Sequence, residues 1–351
     1  MNLPRRISHP MSHPMSHPLR RPHRRTAPAR RQRGAALLTA MIIVTLVATL
    51  AAAMVWQQWR AVQVEQAERG RTQAAWMLSG GLEFARLILS ENAKSGQTTA
   101  LTQPWAQPLE EARLSTLMSL DKTNTEDGPE AFLSGKITDA QGRYNLRSLL
   151  TTDPTTKQLG ISPDEQAKLE RLCNTLGVDS SVALRIGTGL RDATNGGGSG
   201  SGTQGVAPLM PKSTAQLSWF GIDATSLQAL LPFIELLPKA TPVNVNTASR
   251  EVLVAVIDGL DTSSAERLVQ MRQRAPFKDL ALFNQQLAKP LDATKLAALS
   301  TTSTHFEVRS RLRLGDRVLV ERSMLLRSPT PPYLTTVLSR ERIPGFDQPG
   351  S

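Results

Sequence analysis

The sequence predicts an α+β fold: a long N-terminal helix packed on an antiparallel sheet, with a large all-helical domain inserted between the strands. Three observations predict it. An uncharged run, Ala35 to Trp56, continues without proline to residue 93 as a second helical pattern. Strand-like stretches occur on both sides of the middle of the chain, near residues 131–146 and 305–327. Between them lies a succession of capped helical patterns with almost no alternation.

The N-terminal element carries most of the charge asymmetry. The 351-residue chain has a net charge of +11, but residues 1–34 hold nine arginines and no acid. The remainder carries 32 basic against 30 acidic residues, close to neutral. The basic character thus belongs to a leader rather than to a groove that would hold nucleic acid. Four of the five histidines also fall there, three in a Ser-His-Pro repeat at His9, His13 and His17; proline-punctuated low complexity of this kind is a poor metal cage. The 22 uncharged residues that follow span about 33 Å as a helix, enough to cross a bilayer core. Arginines before the span set the N-terminus in the cytoplasm. Three fates fit such a segment: a plain anchor, a secretory signal cut after Ala51-Ala52-Ala53, or a leader cut between Gly34 and Ala35. Helical spacing that continues through Val62, Ala67, Ala74, Leu78, Leu82, Ala85 and Leu89 favours a helix that outlasts the membrane.

Beyond residue 94 a Thr/Pro/Gln loop leads to a short helical pattern at 109–120, then an acidic loop, Asp121 to Glu130. Gly135–Thr138 and Arg143–Leu146 flank Asp139-Ala140-Gln141-Gly142, which reads as a hairpin turn. Ser162-Pro163 starts a helix closing on Gly177, and Ser180–Leu190 forms another. A Gly/Ser insert at 195–202 precedes helical patterns at 213–220 and 225–237. Val243-Asn244-Val245-Asn246-Thr247-Ala248 then leads into two helices, 250–257 and 263–274, joined at Asp258-Gly259: a helix-hairpin-helix pattern. The strands 305–314 and 318–327 pair about Gly315-Asp316, and a Pro-rich tail, 329–351, is expected to be loosely held. The resulting domains are 1–34, 35–56, 57–150, 151–300, 301–328 and 329–351.

Enzyme signatures are absent from the sequence. It has no Gly-x-Ser-x-Gly, His-Glu-x-x-His or phosphate loop, and His305 is the one histidine beyond the leader. The single cysteine, Cys173, lies on an apolar helix face and reads as a small buried hydrophobe, with no disulfide available.

Arg33-Gly34-Ala35-Ala36-Leu37-Leu38, Gly142-Arg143-Tyr144-Asn145-Leu146, Leu236-Leu237-Pro238 and the Val243–Ala248 run together resemble minor pseudopilin K of type II secretion systems. The resemblance covers nearly the whole chain. It implies a pilin-like long helix on a sheet with an inserted SAM-like, helix-hairpin-helix domain, and no enzymatic activity. It further implies cleavage by prepilin peptidase after Gly34, methylation of the new terminus, and a single-pass inner-membrane protein with a periplasmic C-terminal domain. Minor pseudopilins I and J, other pseudopilins and inner-membrane secretion components are the implied partners; the implied role is to cap the pseudopilus tip and initiate its assembly. Most pilins carry Glu at the fifth mature position; here that position is Thr39, as in the K subtype. The family binds calcium in an acidic loop after the helix corresponding to 180–190. This chain offers Asp192 and Asn195 there, with Asp121–Asp127 as a second source of oxygens. The alternative reading is a membrane-anchored helix-hairpin-helix DNA-binding protein of the competence type. Its turn, Gly259-Leu260-Asp261, puts a carboxylate where phosphate binding wants a second glycine.

Overall fold

The computed structural model describes residues 33–96, 98–114, 130–152, 159–195, 208–315 and 317–343. Expectations for the leader before Arg33, the acidic stretch Asp121–Asp127 and the Gly/Ser insert beyond Asn195 fall outside them. The chain forms two compact units, Met1–Ala67 and Glu68–Ser351.

Helix α1 runs Arg33–Lys94 without interruption. In the first unit its apolar side chains, from Leu37 to Val64, are exposed, and the segment is long and apolar enough to cross a membrane. In the second unit one face of α1 is buried. Ala74 and Leu78 pack with Leu133 and Leu312, while Leu82, Ala85 and Leu89 pack with Trp105, Phe306, Val308 and Leu325. Trp105 and Phe306 meet edge to face, with centroids 5.3 Å apart.

The face opposing α1 belongs to a five-stranded antiparallel sheet in the order β1-β2-β9-β10-β11. These strands are β1 (Leu109–Arg113), β2 (Ala131–Asp139), β9 (His305–Leu314), β10 (Arg317–Arg327) and β11 (Thr335–Ile343). Alternation puts Phe306, Val308 and Leu312 of β9 inward. Strand β2 pairs with β9 from Ala131↔Leu314 to Asp139↔Phe306, so the chain leaves the sheet at Asp139 and returns beside it at His305.

The intervening residues build the helical region around its own core, which includes Leu146, Leu149, Leu169, Leu172, Ile186, Leu190, Leu253 and Phe283. Its helices are α2 (Pro163–Thr175), α3 (Ser181–Asn195), α4 (Ala224–Leu230), α5 (Arg250–Val256), α6 (Thr262–Arg274), α7 (Leu280–Asn284) and α8 (Ala293–Leu296). Ser162 caps α2 with Pro163 at its first position, and Gly177, at φ +70°, follows its end. Residues Thr214–Phe220 form a 3-10 helix. Short pairings complete the region: β3 (Tyr144–Asn145) with β6 (Ile234–Glu235), β4 (Leu150–Thr152) with β5 (Leu159–Ile161), and β7 (Val243–Asn244) with β8 (Leu299–Ser300).

Four local expectations are corrected. Residues 139–142 are not a hairpin turn: the Asp139 carboxylate accepts from the Gln141 amide and winds a 3-10 turn, after which Tyr144-Asn145 pairs in parallel with β6. Leu109–Arg113 is a strand rather than a helix. Pairing with the open edge of β2 outweighs the helical preference of Leu-Glu-Glu-Ala, and Leu109 and Leu114 pack on the α1 side of the sheet. The helix expected over 225–237 stops at Leu230, because Pro232 supplies no amide and crowds the preceding turn. The tail after Pro329 is not loose throughout: Thr335–Ile343 adds β11 to the β10 edge, and Arg86 Nε donates to the Thr335 carbonyl at 2.7 Å.

Candidate functional site

Two features carry the functional reading, one in each unit. The first is the start of α1. Gly34 and Ala35 lie in its first turn. Thr39 turns its hydroxyl back onto its own helix, donating to the carbonyls of Ala35 and Ala36, both at 3.0 Å. Thr45 and Thr49 do the same toward Ile42 and Leu46. Each hydroxyl in the span is thereby satisfied without water, as a hydrocarbon environment requires. Ala35, Thr39 and the leucines around them present a fully exposed surface to whatever surrounds the helix.

The second feature is a polar junction where the helical region leaves and rejoins the sheet. Its hub is Asp139, fully buried at the end of β2. One carboxylate oxygen accepts from Ser303 Oγ at 2.5 Å, Thr247 Oγ1 at 2.6 Å and Asn244 Nδ2 at 2.9 Å. The other accepts from the Gln141 amide. Burial raises the acid's pKa, and the surrounding donors work against that rise. The Val243–Ala248 run supplies most of the remaining contacts. Asn244 Nδ2 also reaches the Thr99 carbonyl and Ser303 Oγ, and its own oxygen accepts from the Asn246 amide. Asn246 clamps Phe277 through both the amide and carbonyl of that residue at 2.9 Å. Arg272 Nη1 donates to the Val245 carbonyl at 2.6 Å. On the sheet side Arg327 binds Asn92, Thr99 and the Ser303 carbonyl and lies 4.6 Å from the Phe306 ring centroid; burial lowers its pKa to about 10.

Beside this hub sits a four-membered ion cluster. Glu235 from β6 and Glu307 from β9 each bind Arg143, at 2.8 and 2.7 Å, and Arg322, at 2.9 and 3.1 Å. Both carboxylates are nearly inaccessible. Burial alone would raise the Glu307 pKa, but the two guanidinium groups outweigh it and hold it at about 2. Glu235 belongs to the helical region and Glu307 to the sheet, so the cluster ties one to the other.

Gly142 is required here for space rather than for a turn. A Cβ on it would stand 2.9 Å from Thr247 Oγ1 and 3.1 Å from the Thr247 carbonyl oxygen. The sequence singled out the segments 139–142, 142–146, 236–238 and 243–248, and the fold brings all four to this junction. Glu235 and Glu307 were missed, although each carries a signal: a lone acid inside an apolar run, Phe233-Ile234-Glu235-Leu236 and Phe306-Glu307-Val308.

The calcium candidates fare differently. Asp192 and Asn195 share the last turn of α3. The Asp192 carboxylate is engaged by Arg191 at 2.8 Å, and Asn195 Nδ2 points toward the Leu159 carbonyl at 3.5 Å. Calcium takes six to eight oxygens. One carboxylate already paired with a guanidinium does not fit it, and no group of three metal-ligating side chains occurs among the described residues.

Several other groups that could carry chemistry have partners within the chain. The Tyr144 hydroxyl donates to Glu165 at 3.0 Å, and Lys168 pairs with the same acid, on the wall of a 290 Å³ cleft. The Cys173 thiol is buried and pushed up to about 11 chiefly by desolvation, so it is not a nucleophile at neutral pH. His305 is buried too, which lowers its pKa, and its Nδ1 lies 2.9 Å from Thr304 Oγ1. At the helix-hairpin-helix turn Gly259 has φ +77°, and Asp261 caps α6 by accepting from the Ser264 amide at 2.9 Å.

A long helix on an antiparallel sheet, interrupted between β2 and β9 by a helical region, defines a pilin-like protein with an inserted helical domain. The family model for type II secretion system protein K matches residues 243–302, from the asparagine-rich run to the residue before Ser303. Type II secretion system protein K of Pseudomonas aeruginosa is 28% identical over 319 residues, covering 85% of this chain and 90% of that protein. The protein of the same name from Klebsiella pneumoniae is 29% identical over 320 residues, covering 84% and 92%. The fold matches a chain in the crystal structure of the GspK-GspI-GspJ complex from enterotoxigenic Escherichia coli. The TM-score is 0.61 at 21% identity, over 80% of this chain and 99% of that one. This chain is similar to type II secretion system protein K along most of its length.

Proposed function

We propose that this chain is a minor pseudopilin of a type II secretion system, a structural rather than catalytic subunit. The observation that carries the proposal is similarity to protein K relatives along 85% of the chain, including the stretch that builds the polar junction. In this reading prepilin peptidase cuts between Gly34 and Ala35. The apolar part of α1 then stays in the inner membrane, its N-terminus cytoplasmic and the C-terminal domain periplasmic. The chain assembles with minor pseudopilins I and J and caps the tip of the pseudopilus, initiating its growth. Three features support this. Thr39 has no carboxylate to offer a subunit's amine above it. The helical region adds a second hydrophobic core beside the sheet, bulk that a capping subunit can carry. The ion cluster and the Asp139 hub fix that region to the sheet, so the two act as one body during assembly.

The reading as a helix-hairpin-helix DNA receptor finds less support. Asp261 occupies the Ser264 amide that a phosphate would need, and Asp258, 3.8 Å from both Arg171 and Lys295, engages the cations beside the turn.

Sequencing the N-terminus of the membrane-extracted protein tests the processing step. A mature terminus at Ala35 is expected. A terminus at Met54 would make it a secreted soluble protein, and an uncut chain a plain anchor. Co-purification of the full chain with minor pseudopilins I and J from the same cell tests the partnership.

A further inference from the structure

The 290 Å³ cleft in the helical region has a chemistry that neither the junction nor the proposed function uses. Its volume lies at the lower end for ligand sites, the scale of a small molecule or the end of a chain. Buried residues form the floor, Tyr144 and Asn145 of β3 with Val243 of β7 and Val256 of α5, while Ala240 and Ala297 are exposed at the mouth. The polar side chains of the lining divide into engaged and unengaged groups. Both oxygens of Glu165 are engaged, one by Lys168 at 2.5 Å and the other by the Tyr144 hydroxyl at 3.0 Å. Asn145 donates to the Lys239 carbonyl and to Thr241 Oγ1, and its oxygen accepts from the Arg147 and Leu237 amides. What remains is a set of donors. An ammonium has three N–H groups, and Lys168 directs one of them at Glu165. Thr241 accepts from Asn145 and keeps its O–H, and the Ser148 hydroxyl has no partner among the described residues.

Unused donors in a cleft call for an acceptor, and the rest of the lining decides which kind. Lys168 and Glu165 cancel in charge, so a dianionic phosphate would meet no net positive field. A metal cation would meet the one lining carboxylate already paired. The remaining walls are small and apolar, with Pro242, Val243, Val256 and Ala298 among them. The side chain of Lys168 is only 14% exposed, so its free N–H groups have restricted access to water. A single carboxylate can take these donors through two oxygens, in bonds strengthened by charge, while an aliphatic group beside it covers the apolar wall. We propose that this cleft binds a carboxylate bearing a short aliphatic group, with Lys168, Ser148 and Thr241 donating to its oxygens. Two sources share that chemistry: the C-terminus of a polypeptide and a free short-chain acid. The proposed function does not require such a site and stands or falls without it.

The test is calorimetric titration of the full chain, purified in detergent, with two probes: the peptide N-acetyl-Gly-Ala-Val with a free C-terminus, and isobutyrate. Saturable binding of a carboxylate is expected, and the same peptide closed as its C-terminal amide should bind roughly tenfold more weakly or less. A peptide that binds more tightly than isobutyrate assigns the site to a chain end, and equal affinities assign it to a free acid. Lys168→Met should weaken binding roughly tenfold and Ser148→Ala about threefold, as the loss of a charged and of a neutral hydrogen bond does. Ala240→Trp fills the mouth and should abolish binding. It alters an exposed residue, and Ser148→Ala removes a hydroxyl without a partner, so both should leave the thermal midpoint unchanged and separate binding from folding. Absence of binding by both carboxylates overturns the inference. So does an amide that binds as well as the acid, or binding that survives both Lys168→Met and Ala240→Trp.

Discussion

Asp139 shows how a single buried acid can organise several segments that are distant in sequence. Its donors come from residues 141, 244, 247 and 303; removing it strands the Gln141 amide and the Ser303 hydroxyl proton, while Asn244 keeps the Thr99 carbonyl and Thr247 a longer bond to the Asn244 carbonyl. Buried groups left unsatisfied cost about 1–3 kcal/mol each before relaxation. Asp139→Ala is expected to destabilise the second unit by roughly 3 kcal/mol, and Asp139→Asn by less, since the amide keeps one acceptor; denaturant titration of the purified chain measures both. Glu307 predicts a pH dependence of opposite origin. Its folded pKa, about 2, lies below the ordinary carboxylate value. It therefore contributes stability that is fully present above about pH 4.5 and is lost as pH falls toward 2. Asp139, with its pKa raised, works the other way: it favours the fold most when protonated and loses that contribution as pH rises through its folded value. Denaturation midpoints between pH 5 and pH 2 should fall for the native chain and fall less steeply for Glu307→Gln, which starts lower because it leaves Arg143 and Arg322 incompletely paired.

At the scale of elements, the sequence was legible wherever a local signal decided the outcome. Ser162 with Pro163, Ser249 before α5 and Gly177 after α2 mark helix ends by capping chemistry that needs no knowledge of the rest of the chain. The alternation of His305–Leu314 and Arg317–Arg327 likewise suffices for two strands. Elements settled by distant partners were misread. Leu109–Arg113 becomes a strand because β2 offers an edge, and Tyr144-Asn145 turns away from β2 because residues 233–235 lie beside it. The junction was legible only as a set of marked segments, since neither hydrogen bonding across 105 residues nor the burial of a charge leaves a periodic trace. Gly142 gives the prediction at this scale. If it serves close approach to Thr247 rather than a turn, then Gly142→Ala must push β7 and the sheet exit apart, costing about 1–3 kcal/mol, as overpacking does. A hairpin glycine with positive φ would be relieved by Asn at the same position; here Gly142→Asn should be worse than Gly142→Ala. Unfolding midpoints of the two variants decide between these accounts.

For the whole molecule, the proposed function raises the question of where in a fibre such a chain would stand. A helix buried among other helices in a bilayer gains from a carboxylate only when a cation meets it. At position 39 this chain has instead a hydroxyl already satisfied by its own backbone, donating to Ala35 and Ala36. If the chain stands at the top, as proposed, nothing lies above it, so Thr39→Glu would leave a charge in hydrocarbon without a partner, at a cost approaching that of an acid inside a membrane helix, about 2.5–3.5 kcal/mol. A subunit lower in the fibre would find an amine there and gain. The expected outcome is therefore that Thr39→Glu reduces the chain's recovery in pseudopilin complexes and the output of secreted protein, while Thr39→Ser, which keeps the backbone hydrogen bond, leaves both unchanged. Improved recovery with Thr39→Glu would mean that another subunit's terminus lies ahead of this one, and the tip position would then have to be given up even with membrane anchoring and partnership intact.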